Sequence, residues 1–433
     1  MQVVHKVVIG TVIAVAAFFL FVIFFLPGPA SGTLDPSFNP PDGYVRWNSA
    51  ADSKDRGVEV AVQPDGNIVV LGYSSSSKDE DLLLVRYDAD GKPDPSFGTG
   101  GFVLFDGGSN DRGLGLALQP DGKVLATGYT YVNGRRDVLL VRYLQDGKPD
   151  PAFGTNGVVT WSSPGAGTDI GFGIAVQPDG RIVVAGESAN ATNQDAVVLR
   201  FTGDGATDPS FGLDGVVTYA RSGTDRAFAV AVQPDGRIVC AGSTVVAAQD
   251  DVLLFRLLPD GTFDPAFGTG GVTAWSGPGD KADYGNWMTL QPDGKILISG
   301  TTTTGYGYEL LLLRFNADGS PDPAFGWLGA VRYNGKNDRD EYGLAHVVQP
   351  DGKIVVTGYK ENEGMEDVML LRYLDTGAPD EHFGYKGIMT WNGKASGTDY
   401  GQGIALQRDG KIIVTGFTHN GSNDDLLLMR VLP

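Results

Sequence analysis

Residues 113–129 read GLGLALQPDGKVLATGY, and versions of this stretch occur seven times along the 433-residue chain. Its QPDG core begins at Gln63, Gln119, Gln177, Gln233, Gln291 and Gln349, and it returns as QRDG at Gln407. Successive starts are 56, 58, 56, 58, 58 and 58 residues apart. A period this regular, filled with strand-like sequence, predicts identical supersecondary units that either stack or close into a ring.

Each unit contains four short apolar segments separated by turn residues. The second unit reads GLGLALQ, the turn PDG, KVLATGY, a loop, DVLLVRY, the connection DGKPDPAFGTNG and VVTW. The segments are rich in Val, Ile and Leu and are bounded by Gly, Pro or Asp, which is typical of β-strands. We call these strands A, B, C and D in chain order. Four antiparallel strands in each of seven units predict an all-β, seven-bladed propeller.

The two ends of the chain complement each other. The last unit stops at Pro433 after its strand C, whereas the N-terminal region holds LDPSF at 34–38 and then YVRW, a strand D, at 44–47. A ring can place Tyr44 to Trp47 beside Asp425 to Val431 and complete the seventh blade, so that no sheet lacks its outer strand. We therefore predict one propeller domain over residues 33–433, closed by its N-terminal strand.

Residues 1–32 differ in composition from the repeats. Residues 7–26 carry no charge, and 15 of these 20 are Val, Ile, Leu or Phe. At ~1.5 Å per residue a helix of this length crosses a ~30 Å hydrocarbon core, which predicts a transmembrane helix at 7–26 followed by a linker. Lys6 before the run favours a cytoplasmic N-terminus and a propeller in the periplasm or extracellular space. Small residues at Ala30 and Gly32 leave a cleaved signal peptide as the alternative.

Composition and residue spacing argue against several functions. The formal net charge of −19 disfavours nucleic acid as a partner, because phosphates require a basic surface. The single cysteine, Cys240, lies in the apolar strand sequence RIVCAG and is predicted to be buried and inert. The four histidines form no cluster at metal-ligand spacing, and no serine or cysteine has a recognisable base. We expect no enzyme activity, no cofactor and no metal site.

Three further positions keep the same kind of residue in all seven units. Strand C carries an arginine: Arg86, Arg142, Arg200, Arg256, Arg314, Arg372 and Arg430. Strand D ends in an aromatic residue: Trp47, Phe105, Trp161, Tyr219, Trp275, Tyr333 and Trp391. An acid precedes each anchor glutamine by eight residues: Asp55, Asp111, Asp169, Asp225, Asp283, Glu341 and Asp399. Sevenfold repetition indicates structural roles.

We expect these three positions to hold the ring together. The aromatic residues are predicted to pack between neighbouring blades. The arginines are predicted to pair with a repeated acid such as Asp111 or Asp137. The acids before the anchors are predicted to accept hydrogen bonds from the turns between strands D and A, with ion binding as the alternative.

The repeat sequence resembles a known family. GxAVQPDGKIVVxGY, followed by DxxLxRY and DGxxDPxFG, resembles the bacterial delta-60 repeat β-propellers, and it is more loosely similar to NHL repeats. The likeness extends over residues 34–433 in all seven units. It implies a secreted or surface-bound propeller without an assigned reaction.

Variation between units is confined to two of the four connections. The A-to-B and C-to-D connections hardly change, and in an antiparallel blade they share one end, which we call the constant face. The B-to-C and D-to-A loops differ in every unit and share the opposite end, the variable face. Since loops on a rigid scaffold carry recognition, we expect binding on the variable face.

Residues that depart from the repeat mark candidate binding positions on the variable face and at the mouth of the central channel. Glu59 and Trp287 occupy a strand A position that is mostly Gly or Ala elsewhere. A bulky side chain there is interpreted first as filling the channel, and a ligand platform at the channel mouth is the alternative. The predicted set is Glu59, Asp280, Asn286, Trp287, Tyr306, Tyr308, Asp340, Glu341 and His346.

These features together favour an interaction protein. We expect a non-catalytic, membrane-anchored, extracytoplasmic propeller that serves as a structural or protein-interaction subunit of an integral membrane complex. Whether that complex is respiratory, photosynthetic, transport or secretory is not encoded in the sequence. The alternative is a secreted polysaccharide-binding or hydrolytic module, released by signal cleavage and using Tyr306, Tyr308, Asp280 and Glu341.

Overall fold

The computed structural model describes residues 30–50, 52–164, 167–279, 281–304, 307–335, 340–395 and 397–433. These residues form seven separate four-stranded sheets, and all strand pairs within them are antiparallel, as in the sheet of β10 to β13 (Asp169–Val176, Ile182–Ala189, Gln194–Phe201, Val216–Tyr219). The prediction of a seven-bladed, all-β propeller is confirmed. The predicted transmembrane helix at 7–26 lies outside the described residues, and none of the residues described here forms a helix capable of crossing a membrane.

The blades follow one another along the chain. Blade 1 contains β2 (Asp55–Val62), β3 (Ile68–Ser75), β4 (Glu80–Tyr87) and β5 (Phe102–Phe105). Blade 2 contains β6 (Asp111–Leu118), β7 (Val124–Val132), β8 (Arg135–Tyr143) and β9 (Val158–Trp161), and blade 3 contains β10 to β13. Blade 4 contains β14 (Asp225–Val232), β15 (Ile238–Val246), β16 (Gln249–Leu257) and β17 (Val272–Trp275).

The remaining blades have the same order of strands. Blade 5 contains β18 (Asp283–Leu290), β19 (Ile296–Thr303), β20 (Tyr308–Phe315) and β21 (Ala330–Tyr333). Blade 6 contains β22 (Glu341–Val348), β23 (Ile354–Asn362), β24 (Met365–Tyr373) and β25 (Ile388–Trp391). Blade 7 contains β26 (Asp399–Leu406), β27 (Ile412–His419), β28 (Asp424–Val431) and, from the other end of the chain, β1 (Tyr44–Trp47).

Strand β1 closes the ring by pairing with the C-terminal strand. It runs antiparallel to β28 with Val45 opposite Leu428 and Trp47 opposite Leu426. A backbone bond from Gly32 N to Leu432 O, 2.9 Å long, extends this contact toward the N-terminus. The predicted completion of the seventh blade is confirmed.

The hydrophobic core lies between neighbouring blades. Strands B and C are buried along most of their length, as in β3, where seven of eight residues are buried, because both faces of each sheet are covered by the adjacent blades. This explains their continuous Val, Ile and Leu sequences. Two strand D aromatics also join blades as predicted: Trp47 packs edge-on against Phe102 of blade 1 at 5.4 Å, and Trp391 against Tyr44 of blade 7 at 5.1 Å.

The repeated arginine forms the main polar contact of the constant face. In blade 3, Arg200 Nε donates to Asp208 Oδ2 over 2.8 Å, and its guanidinium lies over the Phe211 ring at 4.4 Å. Its Nη1 donates to the carbonyl of Pro259 in the next blade. The other pairs are Arg86–Asp94, Arg142–Asp150, Arg256–Asp264, Arg314–Asp322, Arg372–Asp380 and Arg430–Asp35.

The predicted partners of these arginines, Asp111 and Asp137, are therefore wrong. Arg142 is the second-last residue of β8, at the constant face, whereas Asp137 lies near the start of the same strand. Five residues at ~3.3 Å each separate the two along the strand. The Asp of the DP-x-F connection lies at the correct end, and its buried phenylalanine completes the cluster.

The acids that precede the anchors have the predicted role. In blade 3, Asp169 Oδ2 accepts a hydrogen bond from Ser163 N over 2.8 Å, and the carboxyl is fully buried. The same contact joins Asp55 to Ser49 N, Asp111 to Gly107 N, Asp225 to Arg221 N, Asp283 to Gly277 N and Asp399 to Gly393 N. Each buried carboxylate thus fixes the D-to-A loop that precedes it.

Candidate functional site

Strand A of every blade contains a β-bulge beside the central channel. In blade 5 the register shifts between Gly285 and Trp287, which leaves Asn286 as the extra residue. The equivalent extra residues are Val58, Leu114, Phe172, Phe228, Leu344 and Gln402. Because a bulge changes the direction of the side chains that follow it, these positions shape the channel wall.

Glu59 and Trp287 lie in the same small cavity within the channel. The cavity has a volume of about 110 Å³ and is also lined by Phe228 and Met288. At ~30 Å³ per water molecule, this space holds a few waters rather than an organic ligand. The two departures from the repeat thus line one cavity.

Glu59 is held as a neutral acid inside this cavity. Burial raises the pKa of its carboxyl to about 8, although the side chain keeps limited exposure to the channel. Its Oε2 accepts a hydrogen bond from Leu116 N of blade 2. At pH 7 the protonated form therefore dominates.

Asn286 and His346 lie between blades 5 and 6, not at the channel mouth. Asn286 Nδ2 donates to Gly343 O over 3.0 Å. His346 is 1% exposed, its Nδ1 lies 2.9 Å from Ser299 Oγ, and its Nε2 has no hydrogen-bond partner. Burial lowers the pKa of His346 to about 3. Both side chains connect blades, and the buried imidazole of His346 is inaccessible to a large ligand.

A row of aromatic rings crosses the variable face from blade 5 to blade 7. We call it the aromatic arc; it consists of Tyr308, Tyr342, Tyr359, Tyr400 and Phe417. Successive ring centroids are 4.8, 4.5, 3.9 and 4.6 Å apart. The central pair is nearly parallel, with an interplanar angle of 2°. The arc is a stack continuous across two blade boundaries.

Arginines continue the row into blades 1 and 2. The Arg56 guanidinium lies 4.0 Å from the Phe417 ring centroid and also forms an ion pair with Asp424. Arg112 lies over Tyr73 at 4.3 Å and pairs with Glu80. Stacking of cations on aromatic faces stabilises such rows beyond the area that they bury.

Blades 3 and 4 interrupt the pattern. Their corresponding positions hold Ile170, Glu187, Arg226 and Ser243. Arg226 Nε donates to Glu187 Oε2 over 2.7 Å, which replaces ring stacking with an ion pair. The variable face is thus divided into a side with stacked rings and a side where Ile170 and an ion pair take their place.

The remaining predicted site residues lie at the blade 5 end of the arc. Asp340 Oδ1 accepts a hydrogen bond from Tyr308 N over 3.0 Å, so these two residues are brought together. Glu341 is fully buried against Gly335 and belongs to the structural acids, and burial raises its pKa. Asp280 and Tyr306 lie outside the described residues.

Sequence reasoning missed most of the arc, since only Tyr308 was predicted. A signal was present: Tyr342 and Tyr400 occupy the seventh position before an anchor glutamine, and Tyr359 and Phe417 the tenth position after one. Strand pairing places Tyr342 opposite Tyr359 and Tyr400 opposite Phe417. Comparing these two positions together across the seven units would have shown a run of aromatics confined to consecutive blades.

The arc presents neutral phenols on a rigid base. Burial raises the pKa of Tyr342 and of Tyr359 above the usual range of tyrosine, so their hydroxyls stay protonated at physiological pH. Each ring remains partly exposed. Because the ring faces cover one another, a ligand meets ring edges and hydroxyl groups, which combine apolar contact with hydrogen bonding.

Comparisons with known proteins agree with this architecture. A family model described as "Domain of unknown function (DUF5122) beta-propeller" matches residues 63–97, 119–153, 177–211, 233–267, 291–325, 349–383 and 407–433. No curated protein matches the sequence.

Two solved structures are similar over most of their length. A protein of unknown function from Dyadobacter fermentans has a TM-score of 0.51 at 12% identity, covering 90% of this chain and 98% of its own. The polysaccharide lyase Uly1 has a TM-score of 0.50 at 12% identity, covering 89% of this chain and 91% of its own. At such low identity the likeness shows the fold alone.

Proposed function

The chain belongs to the DUF5122 β-propeller family, and from this premise we propose that it is a non-catalytic interaction subunit that binds a protein partner of a membrane complex through its variable face. The observation that carries the proposal is the aromatic arc with its flanking arginines. Tyrosine and arginine, together with tryptophan, are enriched at protein-binding hot spots, because they combine large contact areas with directional hydrogen bonds.

The rigidity of the arc supports protein recognition. Tyr359 is stacked on both sides, by Tyr342 at 4.5 Å and by Tyr400 at 3.9 Å. Side chains that are already ordered lose little conformational entropy when a partner binds, so more of the contact energy remains as affinity.

The position of the N-terminal segment supports a membrane-bound arrangement. The described chain begins beside the constant face, where Gly384 N donates to Ser31 O over 3.0 Å. If the apolar run at 7–26 spans a membrane, the constant face or a blade edge lies near the lipid surface and the aromatic arc points away. The variable face then remains free to bind the extracytoplasmic part of the complex.

A matched pair of tyrosine variants tests the proposal. The full chain is purified in mild detergent from its native membrane, and co-purifying proteins are quantified for the wild type, Tyr359→Ser and Tyr385→Ser. Tyr385 lies in a constant-face connection and is 77% exposed. We expect one membrane protein to be retained by the wild type and Tyr385→Ser and lost from Tyr359→Ser. A chain that purifies alone, or a partner lost equally from both variants, contradicts the proposal.

Polysaccharide binding is the second candidate. The observation that favours it is the tyrosine row ending beside Asp340, since aromatic residues with a few polar groups line many small-molecule sites. It ranks lower because the stacked ring faces are not open to a sugar ring. N-terminal sequencing that shows cleavage after Ala30 or Gly32, together with a glycan-array signal abolished by Tyr359→Ser, would favour this candidate.

A further inference from the structure

Four large apolar or aromatic side chains are exposed to solvent in the same connection of the repeat, between strands C and D: Leu213, Trp327, Leu328 and Tyr385. Their exposure is between 60% and 79%, whereas the other large apolar side chains in the described part of the chain are at most 43% exposed. All four lie on the constant face, in blades 3, 5 and 6. Exposed apolar residues are normal when they are scattered singly, but these share one position in the repeat.

The turn that carries them does not require an apolar residue. In blade 5, Trp327 N donates to Ala330 O over 2.8 Å, and in blade 2, Thr155 N donates to Val158 O over 2.8 Å. The equivalent bond starts from Thr99, Leu213, Thr269 and Tyr385. Threonine therefore makes the same turn in blades 1, 2 and 4. Since the backbone is served equally well by threonine, the apolar side chains of blades 3, 5 and 6 indicate a surface that something covers.

The N-terminal segment joins the propeller at this surface. Gly384 N donates to Ser31 O over 3.0 Å, and Gly384 directly precedes Tyr385. Leu26, the last residue of the apolar run at 7–26, is five residues before Ser31. At up to ~3.6 Å per residue, a membrane-spanning run would hold this connection of blade 6 within about 20 Å of the hydrocarbon edge. A lipid surface is thus within reach of the exposed side chains.

The residue types suit the boundary between lipid and water. Tryptophan and tyrosine are enriched there, because each combines an apolar ring with a polar group. Trp327 is followed by a second apolar residue, Leu328. Tyr385 is followed by Lys386, whose Nζ lies 5.6 Å from the tyrosine ring centroid. A lysine in this place can lay its apolar stem along the membrane surface and keep its ammonium among the headgroups.

The acids of the neighbouring A-to-B turns are paired on the side of the ring that carries these residues. Six of the seven PDG turns pair their aspartate with a lysine or arginine two residues later: Asp121–Lys123, Asp179–Arg181, Asp235–Arg237, Asp293–Lys295, Asp351–Lys353 and Asp409–Lys411. In blade 1, Asp65 has Asn67 in place of the cation, and the C-to-D connection of that blade holds Thr99. The net charge of −19 still disfavours anionic headgroups, so zwitterionic lipid fits best.

We propose that the C-to-D connections of blades 3, 5 and 6 contact the headgroup region of the membrane that anchors the chain, with Leu213, Trp327, Leu328 and Tyr385 as the contacting side chains. The proposal rests on the membrane-bound arrangement of the proposed function, and it selects the constant face over a blade edge as the surface next to the lipid. The side of the ring from blade 3 to blade 6 then lies nearer to the membrane than blades 1 and 2.

Single introduced cysteines test this orientation, because Cys240, the natural one, is fully buried. Trp327→Cys and Leu213→Cys are compared with the controls Thr155→Cys and Thr99→Cys, which occupy the same turn position in blades 2 and 1. Each full-length chain is labelled with a fluorophore and reconstituted in phosphatidylcholine vesicles that contain spin-labelled phosphatidylcholine as a quencher. We expect the labels in Trp327→Cys and Leu213→Cys to lose fluorescence and the two control labels to keep theirs.

An alkaline carbonate wash separates the failure of this inference from that of the anchor. If the vesicles retain the chain but the label in Trp327→Cys is not quenched, or all four labels are quenched equally, the orientation is overturned and the anchor is not. A chain that the wash removes contradicts the membrane-bound arrangement itself. Fluorescence in Trp327→Cys that changes with protein concentration in detergent would assign the surface to a second copy of the chain and overturn the lipid contact.

The partner test of the variable face is independent of these contacts. It is performed in detergent, where the micelle replaces the bilayer, so Tyr385→Ser cannot release the partner through a lost lipid contact. Loss of the partner without loss of quenching would therefore contradict the proposed function alone.

Discussion

The two faces of this propeller are built from the same repeat in opposite ways. On the constant face one cluster of arginine, aspartate and phenylalanine occurs in every blade, as in Arg200, Asp208 and Phe211. On the variable face the aromatic arc occupies some blades, and an ion pair replaces it in others. Positions that repeat hold blades together, and positions that depart carry either a function or a cost in stability.

Breaking one repeated cluster should have the largest effect. Arg314 pairs with Asp322 over 2.7 Å, lies over Phe325 at 4.5 Å and donates to Asp375 O in the next blade. Arg314→Met leaves Asp322 buried without its main partner, and we expect the free energy of unfolding to fall by about 3 kcal/mol. Chemical denaturation measures the change.

A second arginine variant in the same blade provides the control. Arg332 lies on the outer strand, is 43% exposed and approaches Glu309 only to 3.9 Å. Arg332→Met should lower the free energy of unfolding by less than about 1 kcal/mol. Equal losses in the two variants would mean that the repeated clusters contribute no more than ordinary surface ion pairs.

The same contrast explains how much the sequence could predict. Closure of the ring was predictable because the strand D missing before Pro433 is present at Tyr44 to Trp47, and a period fixes what each blade needs. The partner of the strand C arginine was mispredicted because periodicity gives spacing along the chain, whereas the choice between Asp137 and Asp150 depends on which end of the blade each occupies.

The arc was harder to predict for a different reason. It forms from residues on adjacent strands and adjacent blades, such as Tyr359 and Tyr400, whose contact arises only after the blades are placed side by side. Similarly, His346 was predicted to be a binding residue, yet the bulge in strand A and its position three residues before Gln349 place it between blades.

Replacing Glu59 with a side chain that cannot ionise tests whether this departure from the repeat lowers the stability of the ring. Because burial raises the pKa of Glu59, the neutral carboxyl makes its full contribution to the free energy of unfolding below pH 4.5, the ordinary pKa of glutamic acid. This contribution is lost as the pH rises toward about 8. Glu59→Gln keeps the acceptor for Leu116 N and does not ionise. We expect it to exceed the wild type by about 2 kcal/mol in free energy of unfolding at pH 8, after discounting for channel exposure, and to match it near pH 4.

Thermal or urea unfolding of the two proteins between pH 4 and pH 9 checks this expectation. Parallel curves for the wild type and Glu59→Gln would show that Glu59 stays ionised in the channel. Glu59 would then not lower the free energy of unfolding at alkaline pH.

His346 should give the opposite dependence on pH. The pKa of His346 in the folded protein, about 3, lies below the ordinary histidine value of 6.5. The neutral imidazole therefore makes its full contribution to the free energy of unfolding above pH 6.5, and this contribution is lost as the pH falls toward 3. The equivalent residues in the other blades are Val60, Leu116, Ile174, Val230, Met288 and Ile404. Replacing His346 with isoleucine removes this dependence, and at pH 5 the variant should be more stable than the wild type by about 2 kcal/mol.

The readout is again the free energy of unfolding, measured at pH 5 and pH 7.5. A gain that is the same at both values would reflect better packing and not protonation. In that case the imidazole of His346 would ionise in the folded protein as readily as in the unfolded chain.

The smallest effect is expected in the arc, where contacts are shared among partly exposed rings. Tyr359→Ala removes stacking on Tyr342 and Tyr400, and since such pairs contribute about 0.5–1.5 kcal/mol each, a loss of about 1–2 kcal/mol is expected. Tyr385→Ala on the constant face, with the ring 77% exposed, should change the free energy of unfolding by less than about 0.5 kcal/mol. A loss in Tyr359→Ala as large as that in Arg314→Met would mean that the arc, like the repeated clusters, chiefly holds blades together. A modest loss combined with release of the partner is the result expected of a recognition surface.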